Sequence, residues 1–135
     1  MAKILLLGSN TALLEGLSQT LASAGHTGIF ARTISEAVDV AAGERPLVAV
    51  LERSAAMGDA FRLPLEAGGA IVVYSTDHSF SEPLPAAVAR ATLAELVLPL
   101  ERQRLLALVQ RVVERSAATG RGVRATPTDQ PAIIS

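Results

Sequence analysis

Small polar residues and one carboxylate follow the short apolar runs of this sequence, where α/β proteins commonly place reactive groups. Gly8, Ser9 and Asn10 come after the first run, Glu52 after a later one and Ser75 after another. Hydroxyl, amide and carboxylate oxygens can bind a hard cation or a phosphate. Mg²⁺ usually takes one or two carboxylates, so Glu52 alone is a weak ligand set. These residue types therefore predict a polar pocket without a metal ion.

The apolar runs that precede these residues are predicted strands. They are Lys3–Leu7, Gly28–Arg32, Leu47–Leu51, Ala70–Tyr74 and Glu95–Leu98. Runs that are apolar almost throughout are typical of parallel strands buried on both faces. Because the carboxyl ends of parallel strands lie at one edge of a sheet, we expect the polar residues to converge there, with Leu98 and Pro99.

Helical patterns occupy the segments between the strands. The first helix is capped by Ser9 or Asn10 and ends at Gly25, where His26 is expected as a cation that suits the helix dipole. The second opens on a Thr33–Glu36 capping box and closes at Gly43. Later helices are predicted in the less regular segment Arg53–Gly69, at Ala86–Leu93 and at Leu100–Ala118. The pattern predicts an α/β fold, a doubly wound five-stranded parallel sheet with helices on both faces.

Composition narrows the class of protein further. Half of the 135 residues are hydrophobic but only 3% are aromatic, so the core must be aliphatic. The net charge of −1 gives no basic excess that would indicate nucleic acid or an anionic membrane as a partner. No cysteine is present, which excludes disulfides and thiolate chemistry. The apolar start at Met1–Leu7 is too short for a signal or a membrane span, so we expect a cytoplasmic protein.

Several of these segments resemble the receiver domain of bacterial response regulators of the chemotaxis-regulator type. The likeness covers Lys3 to about Arg115. Lys-Ile-Leu-Leu-Leu at Lys3–Leu7 is typical of that family's first strand, and Arg45–Leu51 is similar to its third. The resemblance implies a flavodoxin-like fold with receiver topology and a place in two-component signal transduction and its phosphorelays.

The residues at the functional positions of that family differ from its pattern. Glu52 stands at the phosphoacceptor aspartate, and Gly8 and Ser9, with Asn10 next, stand where an acidic pair holds Mg²⁺. Leu98 replaces the lysine that compensates phosphoryl charge, and Glu95 replaces the switch aromatic. Phosphoryl transfer depends on positioning and charge stabilisation, so these losses imply a pseudo-receiver.

Two positions keep the family pattern. Ser75 falls where the family has a serine or threonine that contacts the phosphoryl group, and Pro99 matches the proline after the lysine. The degenerate phosphoacceptor pocket is thus predicted to comprise Gly8, Ser9, Asn10, Glu52, Ser75, Leu98 and Pro99. Glu52 either imitates a phosphorylated aspartate or is a solvated carboxylate at a strand end.

The resemblance implies a non-enzymatic module that acts by protein–protein interaction without aspartate phosphorylation. We predict no catalytic residue, no cofactor and no bound metal, and as partner a regulatory protein or a second copy of the chain. The predicted interaction surface comprises Glu95, Leu106, Arg111 and Val113. The alternative is that the apolar members simply widen the core face of the last helix.

The second functional hypothesis is a domain that binds a small ligand or a nucleotide. Its cavity would be lined by Gly8, Ser9, Asn10, Ser75 and Leu98. A dinucleotide-binding loop is disfavoured, because the glycines it needs after Gly8 are absent at Asn10 and Leu13.

The domain organisation is predicted as one receiver-like domain over residues 1–117 and a flexible tail over residues 118–135. The end of the chain holds Gly120, Gly122, Pro127 and Pro131 among small polar residues, a composition that cannot build a core.

Overall fold

The computed structural model describes residues 2–54, 63–76, 84–98 and 100–124, with the backbone alone for 118–124. In chain order the elements are β1 (Lys3–Leu7), α1 (Thr11–Ser23), β2 (Thr27–Ala31), α2 (Ile34–Glu44), β3 (Val48–Glu52), β4 (Ala70–Ser75), α3 (Ala86–Ala91), β5 (Thr92–Val97) and α4 (Arg102–Arg124). None of the helices in these ranges combines the length and apolar character that a membrane crossing requires.

The five strands form one parallel sheet in the order β2-β1-β3-β4-β5. Leu5 in β1 lies between Ile29 of β2 and Ala49 of β3, so β1 is flanked on both sides. The register of β4 against β5 shifts by one residue between Ile71, which pairs with Thr92, and Val72, which pairs with Ala94. This strand order confirms the predicted doubly wound, flavodoxin-like fold.

Two aliphatic layers cover the sheet, because successive side chains of each strand point to opposite faces. One layer joins Leu6, Val50 and Val72 to the buried stripes of α1 and α4. The other joins Leu5, Leu51 and Val73 to α2 and α3. With both faces covered, the unbroken apolar runs of β1 and β3 are explained.

The ends of α1 set the position of the loop that follows β1. Asn10 is the N-cap, and its side chain accepts a hydrogen bond from the Leu13 amide at 3.1 Å. At the other end Gly25 adopts φ +90°, and the His26 amide donates to the Leu21 carbonyl at 2.9 Å. This Schellman ending confirms the role predicted for Gly25.

The ends of α2 differ in detail from the prediction. Thr33 caps the helix by accepting from the Glu36 amide at 3.1 Å, but the Glu36 carboxylate accepts from the amide of Arg32, one residue before the cap. The helix also runs past Gly43, so the expectation that Gly43 closes it is wrong. Arg45 ends it in the left-handed region at φ 50°, because the Pro46 that follows disfavours a right-handed helical residue there.

The remaining differences concern the second half of the chain. Strand β5 begins at Thr92 rather than Glu95 and ends at Val97, which shortens α3 to Ala86–Ala91. Helix α4 continues to Arg124, beyond the predicted domain boundary at 117. Residues 125–135, most of the predicted tail, lie outside the described residues, as does 55–62 in the segment for which a short helix was predicted.

Candidate functional site

The predicted convergence of polar residues takes place where β1 and β3 end. Glu52 is the last residue of β3, and its carboxylate faces the loop that follows β1. Oε1 accepts a hydrogen bond from the Ser9 amide at 3.2 Å, and the Ser9 hydroxyl lies 3.3 Å from the same oxygen. Ser9 therefore binds Glu52, while Asn10 beside it caps α1. Two of the predicted pocket residues are joined by direct contact, and a third fixes the loop that carries one of them.

Tyr74 fills the space beneath the first residue of this loop. Its ring is buried in the sheet at 1% exposure, and its hydroxyl lies 3.4 Å from the Leu7 carbonyl. A Cβ atom built on Gly8 would stand 2.1 Å from that hydroxyl oxygen. Glycine is therefore the one residue type that fits at position 8 without movement of Tyr74. The pKa of Tyr74 is raised, first by burial and then by the charge of Glu52, so the phenol stays protonated.

A second link leaves the end of β3 in the opposite direction. The Arg53 guanidinium forms an ion pair with the Glu95 carboxylate on β5, and the Arg53 amide donates to the Tyr74 carbonyl at 2.7 Å. The Arg53 side chain is 17% exposed, so the pair is partly shielded from solvent. Residue 95, which the family resemblance assigns to the switch aromatic, is thus tied electrostatically to the neighbour of Glu52.

Leu98 comes to the same edge but turns away from it. Its amide donates to the Ser75 carbonyl at 2.9 Å, whereas its side chain is fully buried in the core layer beneath α1 and α4. Ser75 ends β4 and is half-buried. Pro99 lies outside the described residues. Within the described ranges, no three His, Asp or Glu side chains gather as metal ligands would.

Two clefts lined by described residues open beside this edge. One of about 410 Å³ lies between α1 and the start of α4, and it is lined by Asn10, Ala12, Leu13, Gly16, Leu17, Thr76 and Arg102. The other, of about 230 Å³, is lined by Gly8, Thr11, Leu14, Glu15, Phe30, Ala31 and Arg32. Of the residues predicted to line one ligand cavity, Asn10 borders the first cleft and Gly8 the second.

The residues of the predicted interaction surface have different environments. Leu106 and Val113 are partly buried and pack against the core layer, whereas Arg111 is exposed. Glu95 is half exposed and paired with Arg53. Packing accounts for part of the apolar face of α4, and the contact role of these residues stays a prediction.

His26 is buried instead of lying in solvent as a cation. It is 6% exposed, and its Nδ1 atom accepts a hydrogen bond from the Ala2 amide at 3.3 Å. Burial, followed by the positive charge of the amino terminus, lowers the pKa of His26 below its usual value. The expected favourable interaction of a charged His26 with the dipole of α1 is therefore wrong, because the neutral imidazole is the form that fits.

Sequence reasoning placed Tyr74 in a strand but missed its contact with Gly8. A signal was present: it is the one tyrosine of the chain, and it ends an otherwise aliphatic run. Gly16 and Arg102 were likewise not recognised as neighbours, since α1 and α4 are distant in sequence.

Comparisons with known proteins identify solved structures that have a similar fold. No family model and no curated protein matches the sequence. Among solved structures, a response regulator receiver domain from Clostridium thermocellum superposes with a TM-score of 0.71 at 16% identity, covering 88% of this chain and 99% of that one. The chemotaxis response regulator CheY4 of Vibrio cholerae gives 0.63 at 24% identity, covering 83% and 98%.

A longer protein also contains this fold. NtrX from Brucella abortus, in complex with ATP, matches with a TM-score of 0.71 at 16% identity over 98% of this chain. The present chain spans 31% of the length of NtrX. At these identities the comparisons identify architecture, and together with the strand order they show that this chain has the fold of response-regulator receiver domains.

Proposed function

We propose that this protein is a receiver-like signalling module that acts by contact with another protein and is not phosphorylated at residue 52. The fold shared with receiver domains supports the signalling role. The contact between Tyr74 and Gly8 carries the second part of the proposal. It leaves no room for an acidic side chain at position 8, where the family resemblance implies a metal ligand.

The surroundings of Glu52 agree with this proposal. Its carboxylate already accepts hydrogen bonds from Ser9, and the side chain at position 98 is buried leucine instead of a lysine directed at the site. Within the described residues, a phosphoryl group placed here would meet neither a group of carboxylates that could hold Mg²⁺ nor a lysine ammonium. Charge stabilisation supplies most of the rate in phosphoryl transfer, so the reaction should not proceed.

Intact-mass spectrometry after incubation with acetyl phosphate and Mg²⁺ tests this proposal. The native chain and Glu52→Asp are compared with a conventional receiver domain as the positive control. We expect a labile 80-Da adduct (about the mass of one phosphoryl group) on the control alone. An adduct on the native chain would refute the proposal. An adduct on Glu52→Asp alone would show that residue 52 accounts for the loss, against the argument from Gly8 and Leu98.

The contact role is tested separately through the predicted interaction surface. Arg111→Glu reverses an exposed charge on α4, and Arg32→Glu makes the same change beyond β2, at the opposite edge of the sheet. Self-association is measured by sedimentation over a range of concentrations. We expect Arg111→Glu to weaken it and Arg32→Glu to leave it unchanged. Equal behaviour of the two variants would remove this surface as the site of self-association.

A further inference from the structure

The cleft of about 410 Å³ between α1 and α4 has the size of a small-molecule site. Leu13 and Leu17 give it apolar walls, and Leu17 belongs to the buried core layer. Asn10 and Thr76 add neutral polar groups at one end. Among the described residues that line it, Arg102 at the first position of α4 is the one charged side chain, and none carries a carboxylate.

The guanidinium of Arg102 has no charged partner among the described residues. No hydrogen bond or ion pair of its guanidinium is found within residues 2–54, 63–76, 84–98 and 100–124. The adjacent Glu101 carboxylate has other partners: it accepts a hydrogen bond from the Val97 amide at 2.7 Å and forms an ion pair with Arg104 at 3.1 Å. The first turns of α1 and α4 carry no acidic residue. The cleft is therefore electrostatically suited to an anion.

Gly16 is a separate observation that also points to an occupant. It lies inside α1, on the same face as Leu13 and Leu17, where glycine costs about 1 kcal/mol relative to alanine. A Cβ atom at Gly16 would meet nothing within 4 Å, so no contact of the protein itself requires glycine. The missing side chain keeps the cleft open along the helix backbone.

We propose that this cleft binds a small organic carboxylate with an apolar body. The guanidinium of Arg102 binds the carboxylate, for which its planar donors are suited, and the hydrocarbon body lies along Leu13, Gly16 and Leu17. This site adjoins the predicted Glu52 pocket, with which it shares Asn10, and the proposal does not depend on the protein-contact function.

Amide NMR titrations with octanoate, 1-octanol and acetate test the proposal on the full chain. We expect octanoate to shift the amides of α1 and of the start of α4 and to raise the melting temperature, since a ligand that binds only the folded state stabilises it. Octanol should bind at least about tenfold more weakly, because it lacks the charge-assisted hydrogen bonds. Acetate should give no saturable shift. Equal affinity for octanol and octanoate, or shifts confined to other parts of the sheet, would overturn the assignment.

Paired variants locate the site. Gly16→Leu fills the cleft, and Gly43→Leu makes the same change in α2, where a Cβ atom likewise meets nothing within 4 Å. Arg102→Met removes the charge but keeps the apolar stem, with Arg111→Met as the control at an exposed arginine further along α4. We expect Gly16→Leu and Arg102→Met to weaken octanoate binding at least about tenfold and the two controls to leave it unchanged. Unchanged octanoate binding in both Gly16→Leu and Arg102→Met would refute the site. If Gly16→Leu loses its helical circular dichroism signal, the result for Arg102→Met decides the test.

Discussion

Individual residues explain why the loop after β1 differs from a metal-binding loop. The Tyr74 hydroxyl occupies the volume that a side chain at position 8 would need, and Ser9 turns its amide and hydroxyl toward Glu52. The Tyr74 hydroxyl and the Ser9 amide and hydroxyl are hydrogen-bond donors. They occupy the positions at which the family resemblance implies carboxylates. The loop is therefore held by an uncharged phenol and a single carboxylate.

The steric contact between Gly8 and Tyr74 gives a double-mutant prediction. Gly8→Ala should destabilise the fold by about 1–3 kcal/mol, because its Cβ atom overlaps the buried hydroxyl. Tyr74→Phe removes that oxygen and leaves the nearest ring carbon at 3.4 Å from the new methyl group, an ordinary contact. Gly8→Ala should therefore cost much less in the Tyr74→Phe background. Urea unfolding of the four proteins measures the coupling, and strictly additive effects would contradict the overlap.

At the scale of elements, the sequence predicted most of the architecture and least of the boundaries. Mainly apolar runs identified all five strands, and the pattern was strongest at β1 and β3, which are buried on both faces. The end of α2 was misplaced because glycine is a common C-terminal signal and Gly43 was assigned that role. Pro46 imposes the stop two residues later, at the C-cap Arg45. The start of β5 was misplaced because Leu93, a good helix former, was assigned to the preceding helix, although the strand already begins at the β-branched Thr92.

The candidate site was predictable in position but not in its contacts. Because the carboxyl ends of parallel strands lie at one edge of the sheet, the sequence predicted that Ser9, Glu52 and Ser75 would lie near one another. It says nothing about side-chain direction, so the burial of Leu98 and the approach of Tyr74 to Gly8 were not foreseen. Those two features depend on how β4 and β5 pack against α1 and α4, which is a property of the assembled layers.

The left-handed end of α2 leads to an element-scale prediction. Arg45 adopts φ 50°, a region that costs a residue with a Cβ atom about 1 kcal/mol and costs glycine little. Arg45→Gly should therefore raise the free energy of unfolding by up to about 1 kcal/mol, measured by urea denaturation.

Arg32→Gly serves as the control for the arginine-to-glycine change, since Arg32 has a negative φ and lies before the helix. It should give no gain. A loss of stability in Arg45→Gly would show that the arginine side chain contributes more than the backbone conformation costs.

At the scale of the whole molecule, one buried imidazole couples stability to pH. The folded state lowers the pKa of His26, so the unfolded chain takes up a proton there more readily than the folded one. This contribution to stability is complete above the unfolded pKa near 6.5 and is lost as pH falls below it toward the lower folded pKa.

His26→Asn should make stability less dependent on pH in that range, since its amide oxygen can still accept from the Ala2 amide but does not titrate. Melting temperatures of both proteins at a series of pH values from about 7.5 to 5 measure the difference. An NMR titration of His26 with a midpoint at or above 6.5 would contradict the prediction.

The strand order has a consequence for how the chain is assembled during synthesis. From β1 outward on one side, the strands β3, β4 and β5 lie in the order in which they are synthesised. A nascent chain that ends after Glu52 already holds β2, β1 and β3, so each later strand finds its template in place. Strand β5 is the last described strand in the chain, and it lies at an outer edge of the sheet. There Glu95 forms an ion pair with Arg53, which was synthesised before β4, so the pair ties the edge strand to a part of the sheet that was synthesised earlier.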